Sequence, residues 1–170
     1  MTKRRYKSWS DLKKRLEELL CEPLKGRIAY FLTYYHKVHN SYGRAAIRVD
    51  DKDAVCFSWI DMYYQRRDMD KTYIADPSLS WKEAAEANRE NWDKNGTYCE
   101  SDFINAVQEF RQMKIDDALN AENYIIKVLA ILDRRVGRRT LQKIADSNEY
   151  AEYPDWARQF YNLRLKAEGL

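Results

Sequence analysis

Alternation of apolar and polar residues is confined to the first third of the chain, and this limits the folds open to it. Three short segments between about Arg27 and Trp59 are rich in β-branched and aromatic residues, as half-buried strands are. Polar segments at residues 40–43 and 50–53 separate them and predict turns. No alternating segment follows Trp59 in the sequence. Because strands joined by short turns pair with their neighbours, the pattern predicts a three-stranded antiparallel meander.

The rest of the chain has helical periodicity. Apolar residues recur at helical spacing in residues 9–19 and in several segments after Ser80, which predicts amphipathic helices. We therefore predict an α+β fold with an N-terminal helix, a three-stranded antiparallel β-meander and a C-terminal helical layer. The length of 170 residues fits a single domain. Residues 1–60 would form the first helix and the sheet, and residues 61–170 would be mostly helical.

Short sequence signals predict where the helices begin and end. Ser8 is placed to cap the first helix, and Ser80 forms a capping box with the glutamate three residues later. Residues 120–135 are apolar on nearly every side, so we expect this helix at the centre of the core. Gly137 is predicted to end it, and Pro154 to open the last helix.

Several features predict a cytoplasmic protein that does not enter a membrane. The N-terminal segment is basic and no apolar stretch follows it, which argues against a secretory signal. No run in the sequence approaches the roughly 20 apolar residues of a membrane span. The three cysteines, Cys21, Cys56 and Cys99, are odd in number and far apart, so reduced thiols are expected.

Few residues suggest reaction chemistry. His36 and His39 are the only histidines, and side chains three apart on a strand point to opposite faces, so we predict no metal site. Cys56 with His36 as its base is a possible nucleophilic pair, but a thiol between two apolar strand residues is more often inert packing. The sequence lacks the short motifs of nucleotide-binding loops, zinc proteases and serine hydrolases. We predict no cofactor, and an enzyme with an unfamiliar site is the least favoured interpretation.

Tyrosine is present in excess of what a core needs. The chain has 13 tyrosines and five tryptophans, and several tyrosines gather around the sheet and the segment after it. These residue types are common at protein interfaces because they bury a large area at low rotamer cost. Sealing the edge of the sheet is the alternative role. The tyrosines predicted to form a protein interface are Tyr34, Tyr35, Tyr42, Tyr63 and Tyr64.

Arginine forms the second unusual feature. Arg134 and Arg135 would close the central helix, where cations suit the helix dipole, whereas Arg138 and Arg139 would open the next helix. Cations at that end are disfavoured. Internal ion pairs are one explanation, and a site for phosphate or for a partner's carboxylate is the other. The residues predicted to bind an anion or nucleic acid are Arg134, Arg135, Arg138, Arg139, Arg44 and Arg48.

Five segments give the chain a recognisable signature. They are residues 24–27 (LKGR), 43–50 (GRAAIRVD), 56–59 (CFSW), 132–141 (LDRRVGRRTL) and 153–164 (YPDWARQFYNLR). In these segments the chain resembles a family of small uncharacterised bacterial proteins. The resemblance implies a bacterial or mobile-element protein of the cytosol, and it implies no catalytic residue, cofactor or binding site.

Two functions fit these observations better than catalysis does. The first is a non-enzymatic interaction or regulatory protein, such as a mobile-element or phage inhibitor or accessory factor, that binds a protein through the aromatic region of the sheet. The second is a protein that binds nucleic acid or phosphate through the arginines and the N-terminal basic run. Basic and acidic residues number 30 and 27, a balance too even to imply a nucleic-acid partner. A protein partner is therefore favoured.

Overall fold

The first helix packs against the sheet through a narrow apolar stripe. The computed structural model describes residues 8–34, 43–62, 78–80, 83, 87, 89 and 92–170. Helix α1 spans Trp9–Leu19, and the Ser8 hydroxyl accepts a hydrogen bond from the Asp11 amide at 3.3 Å, which confirms the predicted N-cap. Leu12 and Leu16 are buried and lie on one face of the helix because they are four residues apart.

Three strands form the predicted meander. They are β1 (Ile28–Tyr34), β2 (Gly43–Val49) and β3 (Lys52–Ser58), and the sheet order is β1-β2-β3 with antiparallel pairing throughout. The turn between β2 and β3 holds Asp50 and Asp51 at φ values of 49° and 64°. Two adjacent residues with positive φ are typical of the type I′ turn, whose twist matches that of the paired strands.

The two faces of the sheet differ in character. Tyr30, Ile47 and Val55 lie side by side across the three strands and are buried on the face that packs against the helices. The neighbouring row, with Phe31 beside Ala46, points to the opposite face, because successive side chains alternate along a strand. We refer to that opposite side as the outer face of the sheet.

The C-terminal layer is helical, as predicted. It contains α2 (Glu100–Phe110), α3 (Ile115–Leu119), α4 (Tyr124–Leu132), α5 (Arg138–Ser147) and α6 (Asp155–Ala167), with a short 3-10 turn at Glu149–Glu152. Another 3-10 turn, Glu22–Leu24, joins α1 to β1. The architecture is therefore α+β with the order of elements that the sequence predicts. Within the part of the chain described here, none of the helices is long and apolar enough to cross a membrane.

Helix α4 lies at the centre of the core. Ile125, Val128, Leu129 and Leu132 are each at most 2% exposed, which confirms the prediction for this helix. Aromatic rings join the sheet to the helices around it. The rings of Phe57 and Phe103 stack with centroids 5.5 Å apart. One contiguous cluster of buried side chains results, and it draws on both the sheet and the helices.

The prediction that Arg134 and Arg135 close the central helix was wrong. Helix α4 ends at Leu132, and Asp133 adopts an extended conformation. The chain leaves the helix there because its backbone bonds to the end of α1. The Cys21 amide donates to the Leu132 carbonyl at 3.0 Å, and the Arg134 amide donates to the Leu19 carbonyl at 2.7 Å. Gly137 is consequently the N-cap of α5 and does not end α4.

Candidate functional site

Two arginines stack on a phenylalanine on the outer face of the sheet. The guanidinium carbons of Arg44 and Arg48 lie 5.2 and 4.2 Å from the centre of the Phe31 ring. Both arginines also form an ion pair with Asp53, and the distance from Arg48 Nε to Asp53 Oδ1 is 2.8 Å. We call Phe31, Arg44, Arg48 and Asp53 the arginine–phenylalanine cluster.

Strand geometry explains why these side chains meet. Arg44 and Arg48 are four residues apart on β2 and so point to the same side. Phe31 on β1 is paired with Ala46, which lies between the two arginines. Ala46 itself is completely buried, so the cluster has no gap at its centre. A register shift between Ile47 and Arg48 places Asp53 opposite Arg48.

Cys56 lies beside this cluster. Its sulfur accepts a hydrogen bond from Arg44 Nε at 3.1 Å, and the residue is partly exposed. His36 and His39 lie outside the described residues, so the structure does not test the less favoured hypothesis of a Cys56–His36 pair. The described residues contain no group of three His, Cys, Asp or Glu side chains placed to hold a metal ion.

Tyr34 is the one residue of the predicted tyrosine interface that the structure describes. It is 37% exposed and has the same parity along β1 as Tyr30, so it lies on the face opposite Arg44 and Arg48. Burial, followed by the charge of Glu100, raises the pKa of the Tyr34 phenol. Tyr35, Tyr42, Tyr63 and Tyr64 lie outside the described residues, and their role at an interface stays a prediction.

A buried glutamate joins the sheet to α2. Glu100 is only 5% exposed, and its Oε2 accepts a hydrogen bond from the Trp59 amide at 3.2 Å. It packs so closely on Gly43 that a methyl group added there would lie 2.5 Å from Glu100 Cγ. Glycine at position 43 therefore makes room for this carboxylate.

The arginines near Gly137 occupy different environments. Arg135 binds the carboxylate of Asp133, with Nη2 and Oδ2 2.8 Å apart, and its guanidinium lies over the Phe110 ring. Arg134 is exposed and faces a shallow, open depression that it shares with Lys14 and Lys25. This depression also contains two glutamates, so its charge is mixed.

Arg138 and Arg139 are the first residues of α5, as predicted. Arg138 Nη1 donates to the Glu168 carbonyl at 2.9 Å, and Glu168 is the C-cap of α6. Arg138 lies at the N-terminal, positive end of α5. Its guanidinium bonds to a carbonyl at the C-terminal, negative end of α6, where a cation is favourable. Arg139 is exposed.

A buried arginine that the sequence did not single out fixes the segment between α4 and α5. Arg164 on α6 is 2% exposed and donates to the carbonyls of Asp133 at 3.4 Å and Val136 at 3.2 Å. It also pairs with Glu168 at 3.1 Å. The only signal in the sequence is that Arg164 follows Phe160 by four residues, which places it on the buried face of the helix. Arginine is rarely found at such a position.

The tyrosines of the C-terminal half also gather, which the sequence analysis missed. Tyr150 and Tyr161 stack with centroids 5.4 Å apart, and Tyr153 meets Tyr161 edge-on at 5.3 Å. They line a groove of about 320 Å³ with residues of α3 and α5. Lys127 lies over the Tyr153 ring at 4.7 Å.

Comparison with known proteins identifies the family of the chain. The family model of the SF0329 protein family matches residues 8–165. The chain belongs to the SF0329 protein family. The matched range runs from the N-cap of α1 to the last turn of α6. No curated protein and no solved structure shows significant similarity to the chain.

Proposed function

We propose that this member of the SF0329 family is a non-enzymatic interaction protein that binds a partner protein through the outer face of its sheet. The observation that supports this most strongly is the arginine–phenylalanine cluster. Two guanidinium groups and an aromatic ring lie together there, with 26% and 33% of the Arg44 and Arg48 side chains exposed.

The chemistry of this cluster suits a protein interface. Arginine and aromatic residues are enriched among the residues that contribute most to binding energy. Long side chains usually lose rotamer freedom on binding, at about 0.5 to 1.5 kcal/mol each. Asp53 and Phe31 already hold both guanidinium groups in place, so less of that cost arises when a partner binds.

Binding of nucleic acid or phosphate is the second candidate, and it makes different demands on the same arginines. A phosphate would have to compete with Asp53 for Arg44 and Arg48, and with Asp133 for Arg135. Arg134 and Arg139 are exposed and are the strongest residues of this alternative. A protein partner can pack against the apolar stems of Arg44 and Arg48 and leave their ion pairs with Asp53 in place.

The resemblance to small uncharacterised bacterial proteins implies a bacterial or mobile-element origin, and we propose a cytoplasmic inhibitor or accessory factor as the biological form of this function. In such a role, the rest of the fold holds the sheet rigid so that its outer face keeps one shape. The buried aromatic contacts behind the sheet, such as that between Phe57 and Phe103, serve this purpose.

The test is affinity capture from the native cell with matched arginine variants. The first variant, Arg44→Lys with Arg48→Lys, keeps both charges and removes the planar groups that stack and donate in a fork. The second, Arg138→Ala with Arg139→Ala, removes two charges at the start of α5. We expect the first variant to lose a protein that the wild-type chain captures in nuclease-treated lysate, and the second to retain it.

The opposite pattern would contradict the proposal. Recovery that disappears on nuclease treatment, and that falls in the Arg138→Ala, Arg139→Ala variant, would identify a nucleic-acid binder. Thermal unfolding of each variant shows whether lost recovery reflects lost folding. Titration of the purified partner with the wild type and with the first variant then gives the change in Kd caused by replacing the two guanidinium groups.

A further inference from the structure

A groove lined by tyrosines lies between four elements of the C-terminal layer. Its volume is about 320 Å³, and α3, α5, the 3-10 turn at Glu149–Glu152 and α6 all contribute side chains to it. We call it the tyrosine groove. Pockets of roughly 300 to 1,000 Å³ are the size that holds small molecules. The tyrosine groove therefore has the dimensions of a site for a small ligand.

Three tyrosine rings supply the aromatic surface of the tyrosine groove. The rings of Tyr150 and Tyr161 are nearly parallel, at 12°, whereas the Tyr153 ring stands at 86° to that of Tyr161. The two orientations present both ring faces and ring edges, which are the contacts that aromatic groups prefer. Leu119 of α3 and Ile144 of α5 add aliphatic surface. A flat apolar group is the shape that this lining would contact best.

The hydroxyl group of Tyr161 is the observation that points to a ligand. Tyr161 is 2% exposed, and buried tyrosine hydroxyls usually have a hydrogen-bond partner. In the part of the chain that the structure describes, this hydroxyl has none. It is also not fully enclosed, so its remaining surface opens to the groove that the residue lines. Burial raises the pKa of the phenol, so the hydroxyl keeps a proton that it can donate to a ligand.

A lysine behind the tyrosine groove prepares a second donor. Lys127 Nζ donates to the Tyr153 hydroxyl at 3.1 Å and to the Leu119 carbonyl at 3.4 Å. The Tyr153 oxygen is the acceptor in that bond, so its own proton remains available. Among the described residues, no carboxylate pairs with the half-buried Lys127. Its charge therefore favours negative charge next to Tyr153.

The charged side chains at the rim differ from this interior. Asp116, Lys143 and Glu149 line the groove and are all exposed. Water and salt screen exposed charges, whereas a partly buried charge such as that of Lys127 is screened much less. The two rim carboxylates therefore oppose an anion only weakly, and the interior is the favourable place for its charge.

We propose that the tyrosine groove binds a small aromatic carboxylate. The flat ring of the ligand packs against the tyrosine rings and Ile144, and its carboxylate accepts hydrogen bonds from the Tyr153 and Tyr161 hydroxyls. Hydrogen bonds to an ionised acceptor are roughly twice as strong as those between neutral groups. Lys127 acts through Tyr153 and does not touch the ligand. The groove contains no residue of the arginine–phenylalanine cluster, so this inference does not depend on the proposed function.

The first test compares three ligands that share one ring system. The full chain is titrated by calorimetry with naphthalene-2-carboxylate, with naphthalene-2-methanol, which is neutral, and with naphthalene-2-methylamine, which is a cation at about pH 7. We expect one naphthalene-2-carboxylate per chain, with the alcohol bound about tenfold more weakly and the amine more weakly still. Absence of saturable binding, equal affinity for all three compounds, or tightest binding of the amine would each overturn the proposal.

The second test removes the Tyr161 hydroxyl and keeps its ring. Tyr161→Phe should bind naphthalene-2-carboxylate about tenfold more weakly. The matched control is Tyr30→Phe, which removes the hydroxyl of another tyrosine that is 2% exposed and lies on β1; its affinity should equal that of the wild type. Tyr161→Phe should melt no lower than the wild type, because no described residue loses a hydrogen bond. An unchanged affinity, or a lower melting temperature, would show that this hydroxyl serves the fold and not a ligand.

The third test concerns the charge behind Tyr153. Lys127→Met keeps an unbranched side chain and removes the ammonium group. We expect it to weaken binding of naphthalene-2-carboxylate about tenfold and to leave binding of naphthalene-2-methanol unchanged. Thermal unfolding of the variant checks that it is folded. Equal loss of affinity for both compounds in a folded variant would contradict a role for this charge in selecting an anion.

Discussion

Replacing Gly43 by alanine is the sharpest test of how the sheet meets the helices. The added methyl group would lie 2.5 Å from Glu100 Cγ and 2.7 Å from Cδ and Oε1 of the same side chain. Carbon atoms in contact are normally about 3.5 to 4.0 Å apart, so one of the two groups must move. Glu100 is buried and bonded to the Trp59 amide, which limits where it can go.

The expected cost follows from either way of relieving this overlap. If Glu100 stays, the strand shifts, and overpacking of this kind costs about 1 to 3 kcal/mol. If Glu100 turns away, the partly buried Trp59 amide loses this acceptor, and an unsatisfied donor costs up to about 1 to 3 kcal/mol. Alanine in place of glycine within a strand otherwise gains about 0.5 to 1 kcal/mol. We therefore expect Gly43→Ala to lower the free energy of unfolding by about 1 to 2 kcal/mol.

Urea unfolding of four chains measures this interaction. They are the wild type, Gly43→Ala, Glu100→Ala and the double variant. Glu100→Ala removes Cγ, Cδ and Oε1, the atoms that would overlap the new methyl group, so Gly43→Ala should cost nothing in that background. The two substitutions should thus be coupled by at least about 1 kcal/mol, and the double variant should be more stable than their separate costs predict.

Additivity is the result that would refute this reasoning. If the two losses summed to within about 0.5 kcal/mol in the double variant, Gly43 and Glu100 would not share the contact. An increase in the stability of the chain by Gly43→Ala would refute it more directly. Glycine would then only destabilise the strand through its backbone freedom, and would not be needed to make room for Glu100.

Leu129→Ala should lower the free energy of unfolding by about 2 to 5 kcal/mol, because it leaves a cavity in the centre of the core; a loss below about 1 kcal/mol in urea would contradict that placement. Gly137→Ser should raise the stability of the fold by a few tenths of a kcal/mol in thermal unfolding, since the N-cap of α5 has no side-chain bond and has open space around it. A lower melting temperature would show that the serine does not cap the helix. The hydrogen bond and charge of Arg27 lower the pKa of Asp50, so this pair stabilises the fold above the pKa of about 3.9 for an unfolded aspartate and is lost as the pH falls through the lower folded value. Asp50→Asn should therefore reduce the loss of melting temperature between about pH 5 and pH 2, and an unchanged acid profile would exclude the pair as a contributor.

The sequence predicted the fold well because its signals were local. The meander depends on alternation within short segments, and the cap at Ser8 depends on residues three apart. The capping box at Ser80 is present too, with the Ser80 amide bonded to Glu83 Oε2 at 2.8 Å. Such patterns can be recognised from the sequence alone, because the groups that interact are close together along the chain.

The errors at the end of α4 have a non-local cause. Apolar periodicity continues past Leu132 in the sequence, but the backbone there pairs with the end of α1. No residue close to Leu132 in the sequence indicates this pairing. The same holds for Arg164, whose partners at Asp133 and Val136 come from another element. The candidate site was predicted in part. Arg44 and Arg48 were named from their place on one strand face, whereas Phe31 and Asp53 joined them only through the register of the sheet.

The backbone bridge between Leu20 and Asp133 also constrains the order in which the molecule can be completed. It joins positions more than a hundred residues apart, and closing a loop of that length costs about 4 kcal/mol of chain entropy before any contact compensates for it. During synthesis, the meander ends at Ser58, while α6 and its aromatic residues follow about a hundred residues later. At about 5 to 20 residues per second, roughly 5 to 20 s of synthesis separate the end of β3 from α6. Until α2 and α6 have been made, only α1 is available to cover the inner face of the sheet, and Phe57 lacks its contacts with Phe103 and Trp156.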